Sequence, residues 1–204
     1  MILDQNSMHP KNFTTMNTDR ERNLFFNYIK CAKSVIEFGS GGSTFDLCNL
    51  TGDNTKIYSI EGSKKWYNYM LKWKFIREKI KQGKLEYKHT NIGKTGKWCY
   101  PIENNKNELF RNYYSILESG RAKEFDLVFI DGRFRVMCGL LAIKNCNKSI
   151  IILIHDFIRE EYQILLKYLN IIEFADSLYA FKIKSQINEY ELINDIEQYR
   201  YDYR

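Results

Sequence analysis

Proline is nearly absent, with 2 in 204 residues, and glycine numbers only 11, which excludes collagen-like, linker-dominated and low-complexity architectures. Long apolar runs are missing too. The longest purely aliphatic stretch, Ile150 to Ile154, falls far short of the ~20 residues a membrane-spanning helix needs, so no membrane span is expected. The N-terminal stretch from Met1 to Met16 scatters Asp4, Gln5, Asn6, His9 and Lys11 among its apolar residues and so lacks the apolar core of a secretory signal. The expected location is a cytoplasm. Cysteine is scarce and unpatterned: Cys31, Cys48, Cys99, Cys138 and Cys146 form no C-x-x-C pair. Their odd number points to free thiols in a reducing compartment rather than a disulfide frame or a structural zinc site.

What remains is an ordinary globular composition, 44% hydrophobic and 27% charged, enough for one core. We read residues 1–184 as one domain, the first 18 as an extension, and residues 185–204 as a tail. Net charge is +6 but unevenly spread. From Lys64 to Lys97 eleven Lys or Arg face only Glu78 and Glu86, whereas from Ser185 onward five acids outnumber Arg200 and Arg204. The acidic tail carries Ile187, Leu192, Ile193 and Ile196 at amphipathic helical spacing, a face that would dock on its own domain or on a partner.

Helical and strand periodicities alternate along the chain. Asp19 to Lys30 reads as a helix, Ser34 to Phe38 as a buried strand, Thr44 to Leu50 as a short helix and Lys56 to Glu61 as a strand. A single helix is expected over Lys64 to Gln82, with Trp66, Met70, Trp73 and Ile80 on one face and Gly83 ending it. Trp66, Tyr67, Tyr69, Trp73 and Phe75 are read as core and flank rather than as a ligand box. Leu85 to His89 follows as a strand, then the irregular stretch Asn91 to Asn107. Glu108 to Gly120, Val136 to Asn145 and Glu161 to Leu169 read as helices, and Phe125 to Ile130 and Ser149 to Ile154 as strands. Apolar strands alternating with helices predict an α/β fold with a mostly parallel sheet covered on both faces. Ile171 to Phe174 and Leu178 to Ile183 are separated only by Ala175, Asp176 and Ser177, too short for a parallel crossover, so the sheet should finish in an antiparallel hairpin.

Between the first strand and its helix lies Glu37-Phe38-Gly39-Ser40-Gly41-Gly42-Ser43-Thr44. Glycines in such a turn let backbone approach a ligand closely. Glu61 ends the second strand, 22 residues after Gly39, where a carboxylate can accept both hydroxyls of a ribose. A dinucleotide site wants a third glycine for its pyrophosphate, and Thr44 stands there. An acid at Glu37 would repel a pyrophosphate but suit the ammonium of S-adenosylmethionine. The balance favours S-adenosylmethionine as cofactor, with Glu37, Gly39, Ser40, Gly41, Ser43, Thr44, Glu61, Gly62, Asn91 and Asp131 about it.

On Glu37 to Thr44, Ser59-Ile60-Glu61 and the terminal hairpin, the chain from about Asp19 to Lys184 resembles the class I S-adenosylmethionine-dependent methyltransferases. The resemblance implies a Rossmann-like seven-stranded sheet whose last strand is inserted antiparallel. Asn91 to Pro101, Asp131-Gly132-Arg133-Phe134-Arg135 and His155-Asp156-Phe157-Ile158-Arg159 look like a subgroup of small methyltransferases. The Asp-Gly and His-Asp-x-x-Arg elements are also similar to plant enzymes that methylate a uronic acid of xylan. Asn91 stands where many class I members carry an acid for the adenine amine, and its amide oxygen could accept the same bond.

Asp131 and His155-Asp156 directly follow the fourth and fifth strands, at the carboxyl ends where open α/β sheets bind ligands. Methyl transfer to a sugar hydroxyl needs help with a reluctant proton, which His155 could take as general base. Alternatively, Asp131 and Asp156 could hold Mg²⁺ or Mn²⁺ against the acceptor oxygens. Arg133, Arg135 and Arg159 suit an anionic acceptor such as a uronic acid or nucleotide sugar, and Trp98 and Tyr100 could stack on a sugar ring. The first reading is thus O-methylation of a sugar, nucleotide sugar or glycan. A nucleic-acid methyltransferase, suggested by the basic run, lacks an Asn-Pro-Pro-Tyr-type element after the fourth strand and is disfavoured. A non-catalytic assembly module is a third reading, and a homo-oligomer is compatible with all three.

Overall fold

The computed structural model describes residues 18–102 and 108–204; the N-terminal stretch Met1–Met16 and part of the loop after Pro101 lie outside them. Seven strands form one sheet: β1 Ser34–Phe38, β2 Lys56–Glu61, β3 Leu85–His89, β4 Leu127–Ile130, β5 Ile151–Ile154, β6 Leu169–Ala175 and β7 Leu178–Ile183. Their order is β3-β2-β1-β4-β5-β7-β6. Strands β1 to β5 pair in parallel, while β7 runs antiparallel to both β5 and β6. This is the expected terminal hairpin, with its second strand seated inward. The hairpin's short connection makes antiparallel pairing compulsory.

Alternate residues of each buried strand feed two cores. Ile36 and Phe38 of β1 join Val128, Ile130, Ile152 and Ile154 on one face, and Val35 joins Leu127, Phe129 and Leu153 on the other. The first core is covered by α5 Arg111–Glu118, α6 Arg135–Asn145 and α7 Glu189–Tyr199. The second is covered by α1 Asp19–Ile29, α2 Gly42–Leu50, α3 Lys64–Met70 and α4 Lys74–Lys81. The tail helix α7 buries Leu192 and Ile196 in the first core while Ile193 stays exposed, so it packs on its own domain.

Three expectations need correcting. The helix expected over Lys64 to Gln82 is two, α3 and α4, because the chain turns at Leu71–Trp73 and the Arg77 guanidinium donates to the carbonyls of Leu71 at 2.9 Å and Lys72 at 2.6 Å. Side-chain capping of those carbonyls stops α3 without glycine or proline. Glu160–Lys167 is a 3-10 segment rather than an α-helix, and a 3-10 turn, Glu108–Phe110, precedes α5. Trp66, expected on the buried face with Met70 and Trp73, is exposed and donates its indole N–H to the Ser40 carbonyl at 2.8 Å.

Chain direction diverges between β1 and β4. From β1 the sheet continues outward through β2 and β3, and from β4 through β5, so this is the switch point where open α/β sheets form a crevice at the strands' carboxyl ends. The ladder continues one residue into the connections: Gly39 N–H donates to Ile60, Asp131 N–H to Phe38 and His155 N–H to Ile130, at 2.9, 2.9 and 3.1 Å. Backbone pairing therefore fixes the start of every site loop.

Candidate functional site

The glycine turn is built on a buried carboxylate. Glu37 accepts from Ser43 Oγ at 2.5 Å, Thr44 Oγ1 at 2.7 Å and Ser59 Oγ at 2.5 Å, while Thr44 Oγ1 accepts from Gly41 N–H at 2.9 Å. Burial drives the Glu37 pKa up to about 7 against the pull of those hydroxyls. Glu37, Ser43 and Thr44 are buried, and both hydroxyls are bonded to the Glu37 carboxylate, so the three shape the turn. Gly39 has a φ of +93°, which only glycine adopts without strain, and a Cβ there would lie 2.6 Å from Gly132 Cα. Gly41, by contrast, faces open space, with nothing within 4 Å of a Cβ built on it.

Glu61, at the end of β2, is also buried. Its carboxylate accepts from Ser40 N–H and Oγ at 3.3 and 2.9 Å and from Ser63 N–H at 2.7 Å. Burial raises its pKa, opposed by those same bonds. A ribose hydroxyl offers the same donor as Ser40 Oγ, so the donor set fits a nucleoside whose hydroxyl replaces the serine's. Cys99 Sγ covers Gly62, lying 2.8 Å from a Cβ placed there, as does Ile92. Asn91 Oδ1 already accepts from Gly93 N–H at 3.0 Å, an Asx turn that a bond to adenine would have to share.

Across the crevice, β4 and β5 run in register with Ile130 opposite Ile154, which brings Asp131 beside His155. His155 Nδ1 lies 2.9 Å from Asp131 Oδ1 and 3.8 Å from Asp156 Oδ1. Asp156 adopts a φ of +58°, a strained value for a non-glycine residue and one found at functional sites. Burial lowers the imidazole's proton affinity, but the bond to Asp131 and the charges of Asp131 and Asp156 outweigh it and raise the His155 pKa. The same bond and the Arg135 charge hold the Asp131 carboxyl below its usual range despite burial. Nδ1 thus faces Asp131, and Nε2 lies 3.6 Å from Glu21 Oε1.

Arg135 is held inside the protein. Expected to meet an anionic acceptor, it is 3% exposed and donates to the carbonyls of Gly132, His155 and Asp131. Its Nη2 and Nη1 also stand 3.2 and 3.3 Å from carboxylate oxygens of Asp131 and Asp156, and Arg159 Nη2 lies 2.7 Å from Asp156. Asp131, His155 and Asp156 do each offer an atom within 4.8 Å of the others, the spacing of a metal site. Yet both carboxylates are already neutralised by guanidinium groups in their midst, so a divalent cation does not fit there.

Arg133 behaves differently. It is 5% exposed, its guanidinium lies 4.2 Å over the Tyr100 ring, and its Nε and Nη1 have no hydrogen-bond partner. The Tyr162 ring lies under the Arg135 and Arg159 guanidiniums, and its hydroxyl is likewise buried and unpartnered among the described residues. Tyr100 thus meets Arg133, whereas Trp98 is 60% exposed. Among the basic run, Lys84 is spent on the Thr51 carbonyl, Lys74 on Glu78, Lys88 on Glu86 and Arg77 on the helix end, which weakens its reading as a nucleic-acid face. No described helix is long and apolar enough to cross a membrane.

The fold resembles solved methyltransferases. A methyltransferase-like protein from Silicibacter pomeroyi matches with a TM-score of 0.82 at 23% identity, over 96% of this chain and 100% of that one. The putative methyltransferase yhhF from Escherichia coli matches at 0.56 and 14%, over 87% and 92% of the two chains. An O-methyltransferase from Bacillus cereus in complex with SAH matches at 0.50 and 14%, over 85% of each. No family model matches the sequence, and no curated protein does. The sheet order and these likenesses give the fold as the Rossmann-like one of class I methyltransferases.

Proposed function

We propose that this protein is an S-adenosylmethionine-dependent methyltransferase acting on a hydroxyl of a sugar, nucleotide sugar or glycan that carries an anionic group. The observation that carries the reading is the pairing, across one switch-point crevice, of a nucleoside-suited end with an acid-bearing end. Gly39 to Gly41 and Glu61 form the first, Asp131 with His155 the second.

Gly41 and the Glu61 carboxylate would hold the cofactor's adenosine part, and Asn91 its adenine edge. When bound, S-adenosylmethionine supplies an electrophilic methyl on a sulfonium. The chain's own task is to bring an acceptor oxygen in line and receive its proton. Asp131, partly exposed and kept ionised by His155 and Arg135, accepts the acceptor's O–H as a hydrogen bond and takes that proton as the new C–O bond forms. Its low basicity means that the proton moves late, once the oxygen has turned acidic on bonding to carbon. Arg133, with two buried donors lacking an acceptor, and the Arg159 guanidinium would bind the acceptor's carboxylate or phosphate. Tyr100 gives the sugar an aromatic wall.

Screening nucleotide sugars and acidic oligosaccharides for transfer of labelled methyl tests this reading. Transfer to an acidic sugar, lost in Asp131→Asn, is the expected result. Turnover of neutral sugars only would remove the anionic part, and transfer to nucleic acid alone would replace the acceptor class.

A further inference from the structure

Glu21 lies on α1, far from both motif ends in sequence, and is 2% exposed. Its role as the N3 residue of a capping box requires only one oxygen: Oε2 accepts from Thr18 N–H at 2.8 Å. The other oxygen is held from a different element, accepting from Ser177 N–H at 2.9 Å and Ser177 Oγ at 2.6 Å in the β6–β7 turn. That same Oε1 stands 3.6 Å from His155 Nε2. The helix start, the hairpin turn and the end of β5 thus converge on one imidazole. Phe157 N–H, donating to the Ser177 carbonyl at 3.0 Å, locks the hairpin turn to the loop after β5.

We infer that Glu21 is a positioning residue that grips the Nε2 edge of His155 so that Nδ1–H is directed at Asp131. The charged groups facing the imidazole are Glu21 from α1, Asp131 from the end of β4, Asp156 from the loop after β5 and Arg135 from α6. Without Glu21 the Nε2 side has no anion, and the ring is free to turn or to carry its single proton on either nitrogen. With it, both edges face carboxylates and one orientation is favoured. The consequence for turnover, a fixed and ionised Asp131, rests on the methyl-transfer reading; the orientation of the ring does not.

The test is Glu21→Gln in the full chain. Glutamine keeps the capping-box geometry at N3 and removes only the charge. Nitrogen-15 NMR of the His155 imidazole at neutral pH, assigned against His155→Gln, reads the outcome. Glu21→Gln should shift the Nε2 signal from its position in the parent and, in a pH series, move the ring's titration to lower pH. Where Glu21→Gln folds poorly, Ser177→Ala removes the hydroxyl that pins Oε1 and should give the same shift in smaller measure. Methyl transfer, if present, should fall about tenfold in kcat with KM for the cofactor unchanged, a split expected of a group acting on the reaction end. A moved imidazole signal in a protein that methylates nothing supports the positioning role and refutes the proposed function. An unmoved signal in both variants overturns the positioning role, leaving Glu21 as a helix cap.

Discussion

Gly39 and Gly132 lie backbone against backbone at the switch point: a Cβ on Gly132 would stand 2.9 Å from Gly39 N and would also strike the Tyr113 hydroxyl. The glycine turn after β1 and the turn after β4 therefore interlock, and the crevice is only as well formed as this contact. Gly132→Ala should destabilise the protein by about 1–3 kcal/mol, because a methyl is forced into packed backbone. A denaturation midpoint matching the parent's would show that the turns are not so coupled.

Gly41 is the opposite case. Its φ of 176° is extended backbone open to any residue, and an added Cβ meets nothing within 4 Å. Gly41→Ala should leave the melting temperature within a degree or two while weakening nucleoside binding at least tenfold, since the methyl projects where a ligand would lie. Calorimetry beside thermal denaturation separates the two effects; unchanged affinity would move the ligand away from this turn.

Glu37 makes stability depend on pH. Its folded pKa, about 7, exceeds the ordinary value near ~4.3, so the folded state holds the extra proton between those limits. Stability should therefore fall as pH rises from about 4.5 to 7, by at most about 1.4 kcal/mol per pH unit. Glu37→Gln should flatten that slope, measured by urea unfolding at a series of pH values, and an unaltered slope would assign it to another group.

Arg133 holds buried donors that nothing in the described structure accepts, a cost of about 1–3 kcal/mol per unsatisfied group in ordinary cores. Arg133→Met should hold or raise the melting temperature yet raise KM for an acidic acceptor by roughly 10- to 100-fold. A drop in stability with unchanged KM would make the guanidinium structural.

Because Arg135 bridges Asp131 and Asp156, activity should be insensitive to EDTA and to added Mn²⁺. Loss of turnover in chelator, restored by the metal, would contradict the fit argument.

Much of the fold is legible in the residues. Strands Ser34–Phe38, Lys56–Glu61, Leu85–His89 and Leu178–Ile183 coincide with apolar or alternating runs bounded by glycine and turn residues. The break after Met70 is not legible, since Met70, Trp73 and Ile76 continue a helical spacing and the stop is an arginine side chain returning from the next helix. In the site, residue types announced Asp131, His155 and Asp156 but not their division of labour. Arg133 and Arg135 sit two apart in one motif, yet one has unpartnered donors and the other spans carbonyls and carboxylates of two strands, which only tertiary placement decides. Glu21 left a faint trace: Thr18-x-x-Glu21 spells a capping box, and Glu21 shares a helical face with Leu24, Phe25 and Tyr28. A carboxylate on an apolar face is a sign of a buried partner.

The most direct measurement is titration calorimetry of the parent protein with S-adenosylmethionine, its demethylated product and a pyridine dinucleotide. One-to-one binding of the first two, with Kd between about 1 μM and 1 mM, and none of the third is the predicted result. Heat from the dinucleotide alone, or from none of them, would contradict the account.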